Sequence, residues 1–352
     1  MPHFRHETID ASPPGQQLDI TLIHDLNGDG RPDIIIGGKA GQSNLFWYQN
    51  PSWERHHMAY SPNLEAGGVV VDVNRDGRPD VVCGQQWTGT GFYWFECPAD
   101  PTQQWTRHVI QSQYMMYHDQ AAADIDGDGE LEIITHAQLS RVLVYYDIPP
   151  DPCQSPWPAS LSHPIANNLD NTEGLVVIDI DGDGQLEIVA GSNIFDPPAI
   201  PGKIWGRRQI ASGYEKTRVA VGDIDGDGLL DVVLSEGETD VGRLTWFCQR
   251  DWQPRVLRAD LFHPHSLALA DFDGDGMLDI FVAEMGLGRN PDPEMLVFIN
   301  QGRGSFEQIV ISRGVPTHEA KLADLNGDGK LDVVGKSYDP ENHVDVWWNE
   351  MR

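Results

Sequence analysis

Basic residues are scarce in this chain. Its 352 residues include 24 lysines and arginines against 54 aspartates and glutamates, for a formal charge of −30. Binding to a polyanion needs a basic footprint, so nucleic acid is excluded as a partner. Cysteine is scarce as well. Cys83, Cys97, Cys153 and Cys248 form neither a disulfide framework nor a CxxC zinc motif. Cys97 and Cys248 hold equivalent strand-end positions in different repeats and are not expected to meet. No apolar run is long enough to span a bilayer, so no membrane partner is expected. The opening residues, Met1-Pro2-His3-Phe4-Arg5-His6, lack the apolar h-region of an export signal. As written, the chain is expected in the cytoplasm; a removed leader would place it in the periplasm or outside the cell.

What the chain has instead is seven copies of one acidic loop, D-x-[DN]-x-D-G-x-x-[DE], whose first aspartates lie 47, 52, 55, 44, 48 and 53 residues apart. A period of that size means a repeat architecture. Position 1 is Asp25, Asp72, Asp124, Asp179, Asp223, Asp271 and Asp324. Position 3 is Asn27, Asn74, Asp126, Asp181, Asp225, Asp273 and Asn326. Position 5 is Asp29, Asp76, Asp128, Asp183, Asp227, Asp275 and Asp328. Position 9 is Asp33, Asp80, Glu132, Glu187, Asp231, Asp279 and Asp332. Oxygen ligands at 1, 3 and 5 followed by glycine at 6 suit a hard cation, and up to seven Ca²⁺ are expected as structural staples. The EF-hand itself fits poorly, because no glutamate stands at position 12 and no helical pattern flanks the loop. Without a cation the carboxylates would repel, so each turn is expected to need its ion to close. Seven Ca²⁺ would bring the formal charge from −30 to −16, so much of the acidity is local ligand chemistry.

Short β-branched runs flank each loop, such as Gly68-Val69-Val70-Val71 before and Val81-Val82 after the second copy. They read as strands that enter and leave the loop. An aromatic third strand follows, as in Phe92-Tyr93-Trp94-Phe95, and then a fourth that often starts with tryptophan, as in Trp105-Thr106-Arg107-His108. Four strands per repeat predict an all-β fold, a single seven-bladed β-propeller over residues 1–352. The last repeat stops after its third strand, and the chain opens with an orphan strand, Phe4-Arg5-His6-Glu7-Thr8-Ile9. Residues 1–10 are therefore expected to complete blade 7 and close the ring. Blade 4 is irregular, its third strand hard to find in Phe195-Asp196-Pro197-Pro198-Ala199-Ile200-Pro201. A Pro-rich insertion at 149–158 is expected to cover one face.

The repeats resemble the FG-GAP (VCBS-type) calcium repeats of integrin α-subunit propellers and many bacterial propellers, over nearly the whole chain. That family includes adhesion modules, lectins and lyases, so the resemblance implies a fold and a carbohydrate role rather than one activity.

The loops join strand 1 to strand 2, so all seven lie on one face, and a site would sit on the other. Counting six residues back from each first aspartate gives a ring around the central mouth: Asp19, Ala66, His118, Glu173, Thr217, His265 and His318. The next residue adds Asp119, Arg218 and Glu319, and the ends of the second strands add Lys39, Gln86, His136, Asn193, Glu236, Glu284 and Lys336. Three histidines and a glutamate in one register are hard to explain by packing, whereas His56, His57 and His108 fall in outer strands and read as surface. His265 and His318, with Glu284 and Glu319, are expected to form one cluster that suits Zn²⁺ or Mn²⁺. His118, Tyr117, His136 and Glu173 are expected to form a second. Lys216, Arg218, Lys321 and Lys336 would add positive charge there.

Two functions fit this ring. In the first, the chain is an enzyme, a lyase or dehydratase performing β-elimination on a sugar or uronate. His118 is then the base, Tyr117 or His136 the acid, and His265, His318 and Glu319 the metal ligands, with Arg218 or Lys336 on substrate oxygens. Propellers of polysaccharide lyases and of aldos-2-ulose dehydratase are similar in architecture. In the second, the chain is a calcium-stabilised lectin-like or adhesion propeller without chemistry. Mouth residues that differ from blade to blade favour one asymmetric site and hence the enzyme. A two-carboxylate hydrolase ranks third, since no acid pair stands out. The expected ligand is a saccharide, and the expected state a monomer or weak oligomer.

Calcium removal should unfold the protein cooperatively. Excess chelator is expected to lower Tm in a calorimetric scan, and an unchanged Tm would show that the loops close without a cation.

Overall fold

The computed structural model of the chain describes residues 3–40, 44–169, 172–199 and 203–351. Their backbone forms 28 strands and a single turn of 3₁₀-helix, Ala159–Leu161. The strands assemble into seven antiparallel sheets of four. Each of the first six sheets is one sequence repeat, paired in chain order. The innermost strands are Gln16–His24, Val69–Val71, Tyr117–Ala123, Leu175–Ile178, Thr217–Gly222, Ser266–Ala270 and His318–Ala323. Adjacent innermost strands touch around the axis, so the chain is a seven-bladed β-propeller.

The seventh sheet closes the ring. Strand Phe4–Asp10 pairs antiparallel with Val344–Asn349, running from Phe4 against Asn349 to Asp10 against Val344. Side chains reinforce that pairing. His6 stacks on Trp347 at 4.9 Å, and Asp345 accepts from Thr8 Oγ1 at 2.7 Å. Trp348 Nε1 donates to Glu7 at 2.9 Å. The added strand covers the edge of Val344–Asn349 and gives blade 7 four strands like the others, so that each blade keeps only a short outer edge.

The apolar core lies between blades rather than within them. One cluster sets Ile20, Ile35 and Trp47 of blade 1 against Val81, Cys83 and Phe95 of blade 2. Another sets Leu18, Ile34 and Phe46 of blade 1 against Val334, Val344 and Val346 of blade 7, so the seam between the first and last blades has a buried core of its own. A blade's alternating strands have two apolar faces, and only a ring of neighbours buries both.

Each loop is fastened by its ninth residue. Asp80 accepts from Val73 N at 2.9 Å and from Cys97 N, past the end of the third strand, at 2.8 Å. Asp33, Asp231, Asp279 and Asp332 make the same two bonds. Glu132 and Glu187 hold Ile125 N and Ile180 N, both at 2.9 Å. The carboxylate at position 1 gathers the tip of the turn: Asp25 accepts from the amides of Gly28, Asp29 and Gly30. Gly30 at position 6 has φ +84°, a conformation costly for residues with a Cβ.

Two details differ from expectation. In blade 4 the second strand, Glu187–Ala190, is short, and a turn at Gly191 and Ser192 leads into a third strand at Asn193–Asp196. Asn193 therefore opens the third strand instead of ending the second. Ile200 and Pro201, at the end of the stretch searched for that strand, lie outside the described residues, as do Met1 and Pro2. The insertion at 149–158 does not cover a face. It docks on blade 2, where Pro152 O accepts from Trp94 Nε1 and Trp157 N donates to Ile110 O. All four cysteines are free thiols, as their spacing implied.

Deleting residues 1–10 strips the outer strand from blade 7 and exposes the edge of Val344–Asn349. Its Tm is expected to fall well below that of the full chain in a calorimetric scan; an unchanged Tm would show that closure does not need this strand.

Candidate functional site

The mouth opposite the acidic loops is built at the entry of the innermost strands. In blades 1, 3 and 7 the pairing of first and second strands slips, between Leu18 and Ile20, His118 and Gln120, and His318 and Lys321. Asp19, Asp119 and Glu319 occupy these bulges. Asp119 has φ +49° and Glu319 φ +51°, a left-handed backbone that costs a non-glycine residue about 1–2 kcal/mol. Bulges re-aim side chains and concentrate next to functional sites. Here they bury extra carboxylates at the mouth.

One ionic network joins the ring members. Arg218 holds Asp119 through two bonds, at 2.8 and 3.3 Å, and reaches Glu319 at 2.8 Å. Asp119 also accepts from His118 Nδ1 at 2.7 Å and from Gly174 N at 2.8 Å. Lys39 Nζ bridges Asp19 at 3.0 Å and Glu65 at 2.8 Å. Lys336 Nζ lies 3.1 Å from His318 Nδ1 and donates to His318 O at 2.9 Å. His265 stacks on His318 at 4.3 Å, and its Nε2 lies 3.5 Å from Glu173.

The environment separates the histidines. Burial alone would lower the pKa of His118, but Asp119, then Glu173 and Glu65, outweigh it and raise it to about 10. Burial and the charge of His118 lower His136 to about 4. Burial, then Lys336, hold His318 well below the usual imidazole range. Burial also lowers Lys336 to about 7, against the pull of Glu319 and Asp19. Lys39 serves two acids: burial raises Asp19 to about 7, whereas Lys39 and His118 hold Glu65 below the carboxylate range despite its burial.

Several expectations are corrected by this geometry. The two clusters are one, with His118 and Glu173 brought to His265. Donor atoms of those three residues lie within 4.8 Å of one another, all buried, a His₂Glu set that suits Zn²⁺ or a similar ion. Glu319 and His318 do stand beside His265, at 3.8 Å from its Nδ1 and stacked on its ring, and they also meet Arg218 and Lys336. His118, expected as the base, is held protonated. Tyr117 is withdrawn into the core between blades 2 and 3, stacked on Phe92 at 4.6 Å with its hydroxyl 3.3 Å from that of Tyr146, so it is no acid for the mouth. Glu284 and Glu236 tie loops, accepting from Phe262 N and Glu294 N, and from Arg243. Lys216 pairs with Glu238, and Lys321 with Glu319.

Glu65 and Tyr338 escaped the register argument. Glu65 stands one residue before the counted position, because Gly67 and Gly68, both with positive φ, alter the entry to blade 2. Tyr338 lies just beyond the second strand of blade 7, its ring tilted against that of His318 at 4.9 Å. Both line a cavity of about 200 Å³ with Asp19, Lys39, His118, His265 and His318. On the loop face a cleft of about 460 Å³ runs between blades 3 and 4, lined by Tyr145, Trp205, Leu186, Pro197 and Pro198 beside Asp124 and Asp126. Its described lining has no basic side chain.

The loops bring carboxylates close together on the opposite face. In blades 3 and 4 the carboxylates at positions 1, 3 and 9 approach within 4.8 Å. Burial, then Asp126 and Asp128, raise Glu132 to about 8. The amide bonds to position 9 leave carboxylate lone pairs for a metal.

Comparison with known proteins bears on the fold. A family model described as FG-GAP-like repeat matches residues 25–83, 72–135 and 271–335, half of the chain. No curated protein matches the sequence. Among solved structures, the biofilm matrix protein Bap1 of V. cholerae is similar, with TM-score 0.55 and 12% identity over 97% of this chain and 89% of that one. The exotype rhamnogalacturonan lyase YesX has TM-score 0.53 and 14% identity over 96% and 72%. An ancestral GH74 enzyme has TM-score 0.63 and 9% identity over 96% and 49%. At such identities the likeness shows the fold alone.

Arg218 is the hub of the network. Arg218→Met would take from buried Asp119 and Glu319 the one cation they share, leaving His118 and Lys321 as their separate partners, at a cost of about 3–5 kcal/mol. Urea unfolding should show a matching drop in midpoint at an unchanged slope; a wild-type midpoint would mean that the mouth is more hydrated than its burial indicates.

Proposed function

Because the chain belongs to the FG-GAP-like repeat family, we propose that it is a calcium-stapled, carbohydrate-active propeller, a carbon–oxygen lyase or dehydratase working at the central mouth. One observation carries this reading: the donor atoms of His118, Glu173 and His265 converge within 4.8 Å, buried, at the entry to an asymmetric ionic cavity. The carboxylates that keep His118 charged, Asp119, Glu173 and Glu65, suit a dication in place of that proton. A Zn²⁺ or Mn²⁺ ion bound there would stabilise negative charge developing on a carbonyl or carboxylate oxygen. In the loops, positions 1, 3, 5 and 9 would hold Ca²⁺ in a structural role.

The chain's own groups supply the rest. His318, uncharged at neutral pH, takes the proton alpha to the carbonyl at Nε2, its own hydrogen standing on Nδ1, which faces Asp19 Oδ1 at 3.5 Å and the Lys336 amine at 3.1 Å. Tyr338, in the same cavity, donates its phenolic proton to the departing oxygen. Lys39, 5.4 Å from the Tyr338 ring, offsets the charge left behind. The cavity, about 200 Å³, falls below the roughly 300–1,000 Å³ of drug-sized ligand sites. It suits one sugar ring, a free sugar or a chain end, better than the interior of a polysaccharide. The cleft between blades 3 and 4, with Tyr145 and Trp205 beside loop carboxylates, favours the second reading of a lectin-like binding module.

With calcium saturating, His265→Ala and Glu173→Gln are expected to lose a bound non-calcium metal in elemental analysis. His318→Ala is expected to keep that metal and to lower kcat about 10²–10⁴-fold. Turnover would be followed as ultraviolet absorbance of unsaturated products from keto-sugars and uronate-ended oligosaccharides. Full activity in all three variants would remove the enzyme reading, and sugar binding without turnover would establish the binding module.

A further inference from the structure

The outer strands hold a cluster that the mouth does not use. In blade 2, His108 stacks on Trp94 at 4.3 Å and its Nε2 lies 2.9 Å from Glu96 Oε2. The pairing is a structural habit of this fold. His163 repeats it in blade 3 on Tyr145, with Asp147 at 2.9 Å. In blade 1 the partner of His56 is the amide of Gln49. Blade 2 differs because the insertion at 149–158 lays Cys153 against the pair.

That placement is anchored. Pro152 O, on the peptide leading into Cys153, accepts from Trp94 Nε1 at 3.3 Å and Trp157 Nε1 at 2.9 Å. Trp157 is buried, and its carbonyl accepts from Gln111 at 2.7 Å. Val109 N donates to Ser155 Oγ at 2.8 Å. The Sγ of Cys153, a ring nitrogen of His108 and a carboxylate oxygen of Glu96 all lie within 4.8 Å of one another. Cys153 is also the one exposed cysteine of the four, open to ions from solution.

We propose that Glu96, His108 and Cys153 form a transition-metal site of the Zn²⁺ class at the rim between blades 2 and 3. Thiolate, imidazole and carboxylate are the ligands zinc takes, and three of them leave a fourth position for water. Binding releases the thiol proton to solvent and forms Zn–S, Zn–N and Zn–O bonds with no change of oxidation state. Glu96 has the outer partner such a ligand needs, since its other oxygen accepts from Asn74 Nδ2 at 3.2 Å. Asn74 belongs to the acidic loop of blade 2, so the rim site and that loop share a hydrogen bond. The site stands apart from the mouth, whose described lining includes Met285 but no thiol.

Cobalt(II) is the probe, added to the full chain in saturating calcium. A thiolate-to-cobalt charge-transfer band is expected at one equivalent per chain, bleached by Zn²⁺. Cys153→Ser should abolish it, and His108→Gln should weaken cobalt affinity about 10–100-fold. Cys248→Ser should leave it intact, although Cys248 lies near Asp225 and Asp227. Absence of the band in the wild type, its survival in Cys153→Ser, or its loss in Cys248→Ser would overturn the proposal. Cobalt bound at the mouth gives no thiolate band, so failure here leaves the reading of the mouth untouched.

Discussion

The ninth carboxylate of each acidic loop is the interaction on which the rest of this structure depends. It is buried, and it accepts amide protons from the start of its loop and, in five blades, from a residue at or just past the end of the third strand. A buried carboxylate is tolerable only when so bonded, so the bonds hold loop, second strand and third strand in one geometry. Repeated around the ring, they place every first strand at a common height. That is why residues a fixed distance before each loop arrive together at the opposite mouth. The cost is concentrated negative charge: burial and neighbouring acids raise Asp80 to about 7 and Glu132 to about 8.

The mouth departs from the symmetry that the loops impose. Bulges in blades 1, 3 and 7 add Asp19, Asp119 and Glu319 to a ring that regular strands would have lined more sparsely. Arg218 then crosses between blades to pair with Asp119 and Glu319, and Lys39 pairs with Asp19 of its own blade and Glu65 of the next. The pairing fixes side chains that would otherwise repel, and it spreads the charge states of neighbouring groups. His118 is held charged, while His136 and His318 are held neutral. Environments that push titratable groups apart in this way are typical of functional sites.

Blades 2 and 3 show how a repeat acquires local chemistry. The histidine stacked on the third strand and bonded to an acid is a packing device, present in blades with no common role. One inserted segment, anchored by Trp157 and Pro152, sets a thiol beside one copy of it. The scaffold is unchanged, and a set of metal-type ligands results.

Sequence alone determined the period, the seven loops, the closing strand at 4–9 and the side of the ring on which a site would lie, because each follows from local pattern and chain connectivity. It also named most of the mouth, since identical loops make a sequence offset equivalent to a height. It did not find Glu65, displaced by two glycines, or Tyr338, which lies past a strand end. It assigned Tyr117 to the mouth, although alternation in that strand turns its ring into the core. Roles lay further from reach. Whether His118 is a base or a charged partner depends on Asp119, Glu173 and Glu65, which reach it from its own and two other blades. The meeting of Cys153 with His108 depends on how an insertion docks. Tertiary structure alone decided these, because electrostatic environment and side-chain convergence arise between segments distant in the chain and leave no local signature.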